Sequence, residues 1–275
     1  MRLLINIFVL IFLIGLISCE KKIYWPIPET EINTIVIDAL LTNEFKYQQL
    51  RLSLPRNNIN DTSTMATGAI VSMNDGSNFM HFNESPTLPG IYLSEDKVAA
   101  AIDKNYYLTV QYNSETYESE TSMVPVHTSN RLYYAPVEGS DILYEIKWIA
   151  PEYSTYEQAM YEVIIDWSHL VEGNSEDTIA RAKIFHYTLN TIDVSYTIFP
   201  QEKEKVYFPQ HSIIIERKYS LTDEHAAYVR ALLAETEWQG SLFEEARGNL
   251  PTNISNGGLG FFAASSVIAD TMLVQ

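Results

Sequence analysis

The chain has 275 residues, 46% of them hydrophobic, which suits one or two packed domains and excludes a wholly disordered polypeptide. Lys and Arg number 18 against 35 Asp and Glu, and the resulting formal net charge of −17 argues against a nucleic-acid partner, because it repels phosphate backbones. A single cysteine allows neither an intrachain disulfide nor a cysteine-based zinc site, and 18 Tyr with 11 Phe lean towards strands.

At the start, Arg2 precedes an apolar run from Ile7 to Ile17 that is broken only by Gly15. A membrane span needs about 20 apolar residues, so this run better suits the hydrophobic region of a signal peptide. It ends in Leu16, Ile17, Ser18 and Cys19. That order resembles the lipobox of bacterial lipoproteins, in which a small residue precedes a cysteine whose thiol takes up diacylglycerol. The resemblance implies a lipoprotein signal peptide over residues 1–18, lipidation at Cys19 and a lipidated tether over residues 19–32, which includes Pro26 and Pro28. Two or more acyl chains hold a protein stably at a bilayer without spanning it. A short uncleaved anchor is the less favoured alternative.

Strand patterns follow in quick succession. Residues 34–41 are β-branched and apolar, and residues 47–54 alternate over Leu50, Leu52 and Leu54. Asn74, Asp75 and Gly76 join residues 68–73 to 78–82 as a hairpin. Further strands are expected at 91–93, 106–112 and 117–121, and a boundary lies near Pro125 and the polar stretch 128–131. Beyond it, residues 142–149, 161–167 and 213–219 read as strands, and 259–267 is a final apolar run. One helix is predicted at 222–237, where Ala226, Val229, Leu232 and Leu233 have helical spacing, Thr222 is the N-cap and Gly240 a stop.

The expected fold is therefore mainly β, with two antiparallel β-sandwich (immunoglobulin/transthyretin-like) domains. An N-terminal β-sandwich domain would cover residues 33–126. A C-terminal β-rich domain with the one inserted helix would cover residues 127–275.

Little in the sequence carries chemistry. The six histidines are scattered, and no nucleophile elbow, phosphate loop or dinucleotide fingerprint appears. No catalytic residue, metal site or cofactor is expected. Residues 256–260, Asn-Gly-Gly-Leu-Gly, suit a tight turn or close backbone approach. The stretch 172–177 holds Glu172, Glu176 and Asp177, and reads as a solvated acidic turn better than as a calcium loop. Trp148 and Trp167 lie in apolar strands and are expected in the core, whereas Tyr153 and Tyr156 are expected to be exposed.

Four stretches carry a family resemblance: CEKKIYWPIPE from Cys19, GAIVSMNDG followed by PGIYLS, YYLTVQYNSETYESETSMVPV leading to RLYY, and PTNISNGGLGFFAASSV near the end. Together they resemble the Bacteroidetes lipoprotein family filed as domain of unknown function 4249. The resemblance implies an outer-membrane lipoprotein, lipid-anchored on a face left open, with a TonB-dependent outer-membrane receptor as partner. It implies no reaction. The leading expectation is a non-catalytic accessory or ligand-binding protein whose small ligand is unidentified. A structural or adhesive envelope protein is the alternative, and a carboxylate-dependent hydrolase is a weaker one.

Overall fold

In the computed structural model, which describes residues 34–56, 62–128, 130–171, 180–191, 205–236 and 250–275, seven strands come first. They are β1 (Val36–Thr42), β2 (Lys46–Ser53), β3 (Ile70–Asn74), β4 (Phe79–Glu84), β5 (Ile91–Val98), β6 (Asn105–Tyr112) and β7 (Glu115–Val124). There follow β8 (Tyr133–Pro136), β9 (Leu143–Trp148), β10 (Ala159–Asp166), β11 (Arg181–Thr188), β12 (Tyr207–Pro209) and β13 (Ile213–Ser220). A short 3₁₀ turn spans Ser168–Leu170, and helix α1 (Asp223–Thr236), β14 (Leu259–Ser265) and β15 (Val267–Leu273) complete the described elements.

The first seven strands and β14 close into a barrel in the order β1-β14-β7-β6-β3-β4-β5-β2. Alternation puts apolar side chains inside: in β2, Leu50 and Leu52 are buried while Tyr47, Gln49 and Arg51 are exposed. Ile37, Leu41, Val71, Leu108, Tyr92 and Phe262 are among the residues that fill the interior. Along β2, β6 and β7 the exposed positions include Gln49, Arg51, Gln111, Glu118 and Glu120, the reverse of a lipid-facing barrel wall. The register shifts at Gln48, a buried amide whose Nε2 donates to the carbonyls of Thr42, Glu44 and Val98 at 2.8–3.1 Å. Its side chain thus satisfies backbone groups that the ladder leaves unpaired there.

The closed barrel corrects the expectation of two antiparallel immunoglobulin- or transthyretin-like sandwiches. Period-2 alternation marks a strand with one buried face, but that face packs equally well on a second sheet or on the inside of its own closed sheet. Closure depends on β14, which lies parallel to both β1 and β7. Parallel pairing needs a long connection, and here the connection from β7 is the whole of residues 125–258. A division at 126/127 therefore separates β14 from the barrel that it completes.

The remaining strands form a four-stranded antiparallel sheet, β11-β10-β13-β15, and a three-stranded sheet, β12-β9-β8. A shared core that includes Val163, Ile165, Ile214 and Phe208 lies between them. Helix α1 packs through Ala226, Val229 and Leu233 with Leu189, Leu221 and Met160. Met160 has the opposite parity to Val163 on β10, so the helix covers the other side of the larger sheet. Thr222 caps it, with Oγ1 accepting from the His225 N–H at 3.2 Å. His225 and Tyr228 both stack on Phe261 of β14, joining the helix to the barrel wall. Trp148 is 39% exposed, contrary to the expected core position, because it ends β9 opposite exposed Tyr133 where the register shifts. Tyr153 and Tyr156 are 49% and 98% exposed. Among the described residues no helix is long and apolar enough to cross a membrane.

Candidate functional site

The site is built on β13. Strand alternation places Ile214, Glu216 and Lys218 on one face, the side on which Ile214 enters the core shared with the three-stranded sheet. On β10, Val163 lies opposite Glu216 and Tyr161 opposite Lys218. On β15, Asp270 lies opposite Glu216 and Ile268 opposite Lys218. Strand β8 begins only at Tyr133, so this end of the face is crossed by the segment that leaves the barrel after Val124.

That segment is held by charged groups. Lys218, 6% exposed, donates from Nζ to the His127 carbonyl and to Glu157 Oε2, each at 2.9 Å. Its Nζ also lies 5.7 Å from the Tyr161 ring centroid, a cation–π arrangement. Glu157 Oε1 accepts from the His127 N–H at 2.9 Å. Burial alone would raise the Glu157 pKa, but the His127 N–H and Lys218 outweigh it and hold the carboxylate below its usual range. Arg131 grips Asp270 in a two-pronged pair, Nε to Oδ2 at 2.8 Å and Nη2 to Oδ1 at 3.4 Å.

Glu216 is different. It is 7% exposed, and its Oε2 accepts from the Leu132 N–H at 3.4 Å. Its Oε1 is enclosed and has no hydrogen-bond partner among the described residues. Burial pushes its pKa up and the Asp270 carboxylate adds to the rise, while the Leu132 N–H and the nearby Lys218 and Arg131 charges oppose it without cancelling it. Around these groups lies a cleft of about 300 Å³, lined by His127, Arg131, Glu216, Lys218, Ile268 and Asp270 among others. The unmatched acceptor is enclosed behind the cleft wall, and Lys218 and Arg131 are both engaged in ion pairs and are poorly placed as nucleophile or base.

Two other hollows adjoin the linker and the helix. One of about 260 Å³ lies on the far side of His127, with Tyr156, Glu157, Gln158 and Asp223 in its wall. There the Gln158 amide Nε2 donates to Asp223 Oδ1 at 2.8 Å. The other, of about 380 Å³, is lined by Glu120, Thr121, Glu224, Asn253 and Phe261 and adjoins the start of α1. The first cleft has the buried acceptor without a partner, and so is the candidate binding site.

The residues singled out by the sequence, Leu16, Ile17, Ser18 and Cys19, lie outside the described residues, as do the acidic stretch 172–177 and Gly240. Among the described residues no three His, Cys, Asp or Glu side chains come together in a metal-holding group. Sequence reasoning missed Arg131, Glu157, Glu216, Lys218 and Asp270. A signal for two of them was present: in Ile213–Tyr219, alternation puts Glu216 and Lys218 on the same face as Ile214, which is unusual for charges in an apolar strand. Nothing in the sequence brings Arg131, Glu157 and Asp270 to that face.

The model of the family described as Domain of unknown function (DUF4249) matches residues 20–270, and the chain belongs to that family. No curated protein matches the chain.

Proposed function

We propose that this protein is a lipid-anchored, non-catalytic lipoprotein of the bacterial outer envelope, of Bacteroidetes type, which captures or hands over a ligand beside a TonB-dependent outer-membrane receptor. The observation that carries this reading is the lone cysteine, Cys19, placed directly after Leu16, Ile17 and Ser18. Acyl chains on its sulfur would tie the chain to the bilayer, and residues 20–33, if extended, would reach about 50 Å. The barrel's polar outer wall supports a body that stands in water while its amino end is held at the membrane. The cleft supports a binding role rather than a chemical one, because its cations are engaged in ion pairs.

The test is co-purification of the acylated protein from native membranes. Enrichment of a barrel receptor is the expected result. Recovery of the lipoprotein without any such receptor would overturn the proposed partnership.

A further inference from the structure

We infer that Asn256 is a site of spontaneous covalent modification, in which the Gly257 nitrogen displaces the Asn256 side-chain amide and water opens the resulting ring. The inference needs neither the receptor, the lipid anchor nor a ligand.

Asparagine is thermolabile, and Asn256-Gly257 is the one Asn-Gly step in the sequence. Glycine brings no Cβ to obstruct the approach of its own nitrogen to Asn256 Cγ. The structure leaves that approach open. Asn256 is exposed in a tight turn with φ +55°, and a Cβ added at Gly257 would meet nothing within 4 Å. In the reaction the Gly257 nitrogen loses its proton and bonds to Asn256 Cγ. The Cγ–Nδ2 bond breaks, and Nδ2 takes up that proton and leaves as ammonia. Water then adds to either carbonyl of the five-membered imide and cleaves its bond to nitrogen. The product is an aspartyl or isoaspartyl residue at 256, and no oxidant or reductant is consumed.

Two other turns have related sequences but a different setting. Asp75 precedes Gly76, yet Lys104 and the N–H groups of Ser77 and Asn78 hold its carboxyl ionised, well below the usual range. An ionised carboxylate resists nucleophilic attack. Asn113 precedes Ser114, whose Cβ crowds the attacking nitrogen.

The consequence follows from where the turn sits. Strands β7 and β14 pair at two register positions, Ala264 with Met123 and Ser265 with Val124. Beyond them, residues 253–256 fill the seam. The Asn253 amide accepts from the Phe262 N–H at 2.9 Å and donates to the Phe262 and Glu120 carbonyls at 2.8 and 3.2 Å. The Ser255 N–H donates to the Glu118 carbonyl at 2.8 Å, and Ile254 is buried in the barrel interior. Asn256 Nδ2 donates to Glu115 Oε2 at 2.8 Å. Modification replaces that donor with a carboxylate facing Glu115, on the strand that also carries Glu118. The isoaspartyl form also lengthens the backbone by one carbon. Thr34 Oγ1 donates to the Gly257 carbonyl at 2.6 Å, so the modified turn holds both the seam and the approach to β1 less firmly.

The experiment is incubation of the full-length protein in detergent at 37 °C, at pH 9 and pH 6, with peptide mapping and an isoaspartyl-specific methylation assay. A gain of about 1 Da is expected in the peptide that holds Asn256, at least fivefold faster at pH 9. Isoaspartate is expected at 256 and not at 75 or 113. Asn256→Gln should abolish the gain. Asn256→Asp should lower the midpoint of thermal unfolding, and Glu115→Gln should remove about half of that loss. No gain after weeks at pH 9, an equal gain in Asn256→Gln, or isoaspartate confined to the other two turns would overturn the inference. An Asn256→Asp variant as stable as the parent would overturn the loosening of the seam. The parent protein's map places the product by position, so the test stands even if a variant misfolds.

Discussion

Ser220 and Ser266 hold each other in a closed hydrogen-bond pair at the seam between barrel and second sheet. The Ser266 N–H donates to Ser220 Oγ at 2.9 Å, and the Ser220 N–H donates to the Ser266 carbonyl at 3.0 Å. Both hydroxyls then converge on the carbonyl of Val124, at 2.7 and 2.8 Å. The end of β7, the end of β13 and the step from β14 to β15 are thereby fastened at one buried point.

The two serines are not equivalent, which gives the first prediction. Ser220→Ala strips the Ser266 N–H of its acceptor and leaves a buried donor orphaned, so it should cost about 2 kcal/mol. Ser266→Ala removes a hydroxyl whose target is also served by Ser220, and should cost about 1 kcal/mol or less. Chemical denaturation of both variants and the double variant checks the order and the non-additivity expected of touching residues. Equal costs that simply add would refute the arrangement.

Gly260 of β14 lies opposite Ile37 of β1. Its φ is +87°, and a Cβ there would lie 2.1 Å from the Ile37 carbonyl oxygen. Gly260→Ala should therefore cost upwards of about 3 kcal/mol or displace β14 from the barrel. Gly257 has φ +70° but open space around it, so Gly257→Ala should cost only about 1 kcal/mol. Thermal unfolding of the pair separates backbone strain from collision.

Acid should loosen the junction in two stages. Burial holds the His225 pKa down to about 4, so it folds neutral against Phe261 and Tyr228. A depressed histidine adds stability that is fully present above its unfolded value of about 6.5 and is lost as pH falls towards 4, by up to about 3 kcal/mol. Below that, Glu162 and Glu44 follow. Burial alone would raise both, but Lys183, Tyr219 and Arg217 around Glu162, and Lys46 and Arg217 around Glu44, hold them below the usual range. Their contribution is present above the ordinary carboxylate pKa and lost as pH falls through the folded values. In a stability–pH curve, His225→Phe should flatten the stage between pH 6.5 and 4 and leave the lower one.

Glu216 should behave in the opposite sense. Its pKa is raised, so the folded state favours its neutral form, and the penalty for ionising it grows as pH rises above the ordinary carboxylate value. Glu216→Gln should therefore stabilise the unliganded protein at pH 8 by about 1 kcal/mol and make little difference at pH 4. A stability gain that does not depend on pH would contradict this account.

Cys19→Ala should abolish acylation and leave the hydrophobic amino-terminal segment uncut. Palmitate labelling and detergent-phase partitioning of the variant provide the measurement, and undiminished labelling would disprove the anchor.

The sequence alone determined the strand positions that alternate cleanly, the hairpin at Asp75 and Gly76 and the capped helix beginning after Thr222. All of these rest on contacts between residues close along the chain, where spacing and turn chemistry decide the outcome. Tertiary structure decided the rest. That β14 enters the barrel between β1 and β7, that Arg131 and Asp270 lie beside Glu216, and that Glu157 meets Lys218, are long-range pairings between segments separated by up to about two hundred residues. Short-range periodicity describes which face of a strand is apolar, but the partner of that face is chosen by the packing of the whole chain.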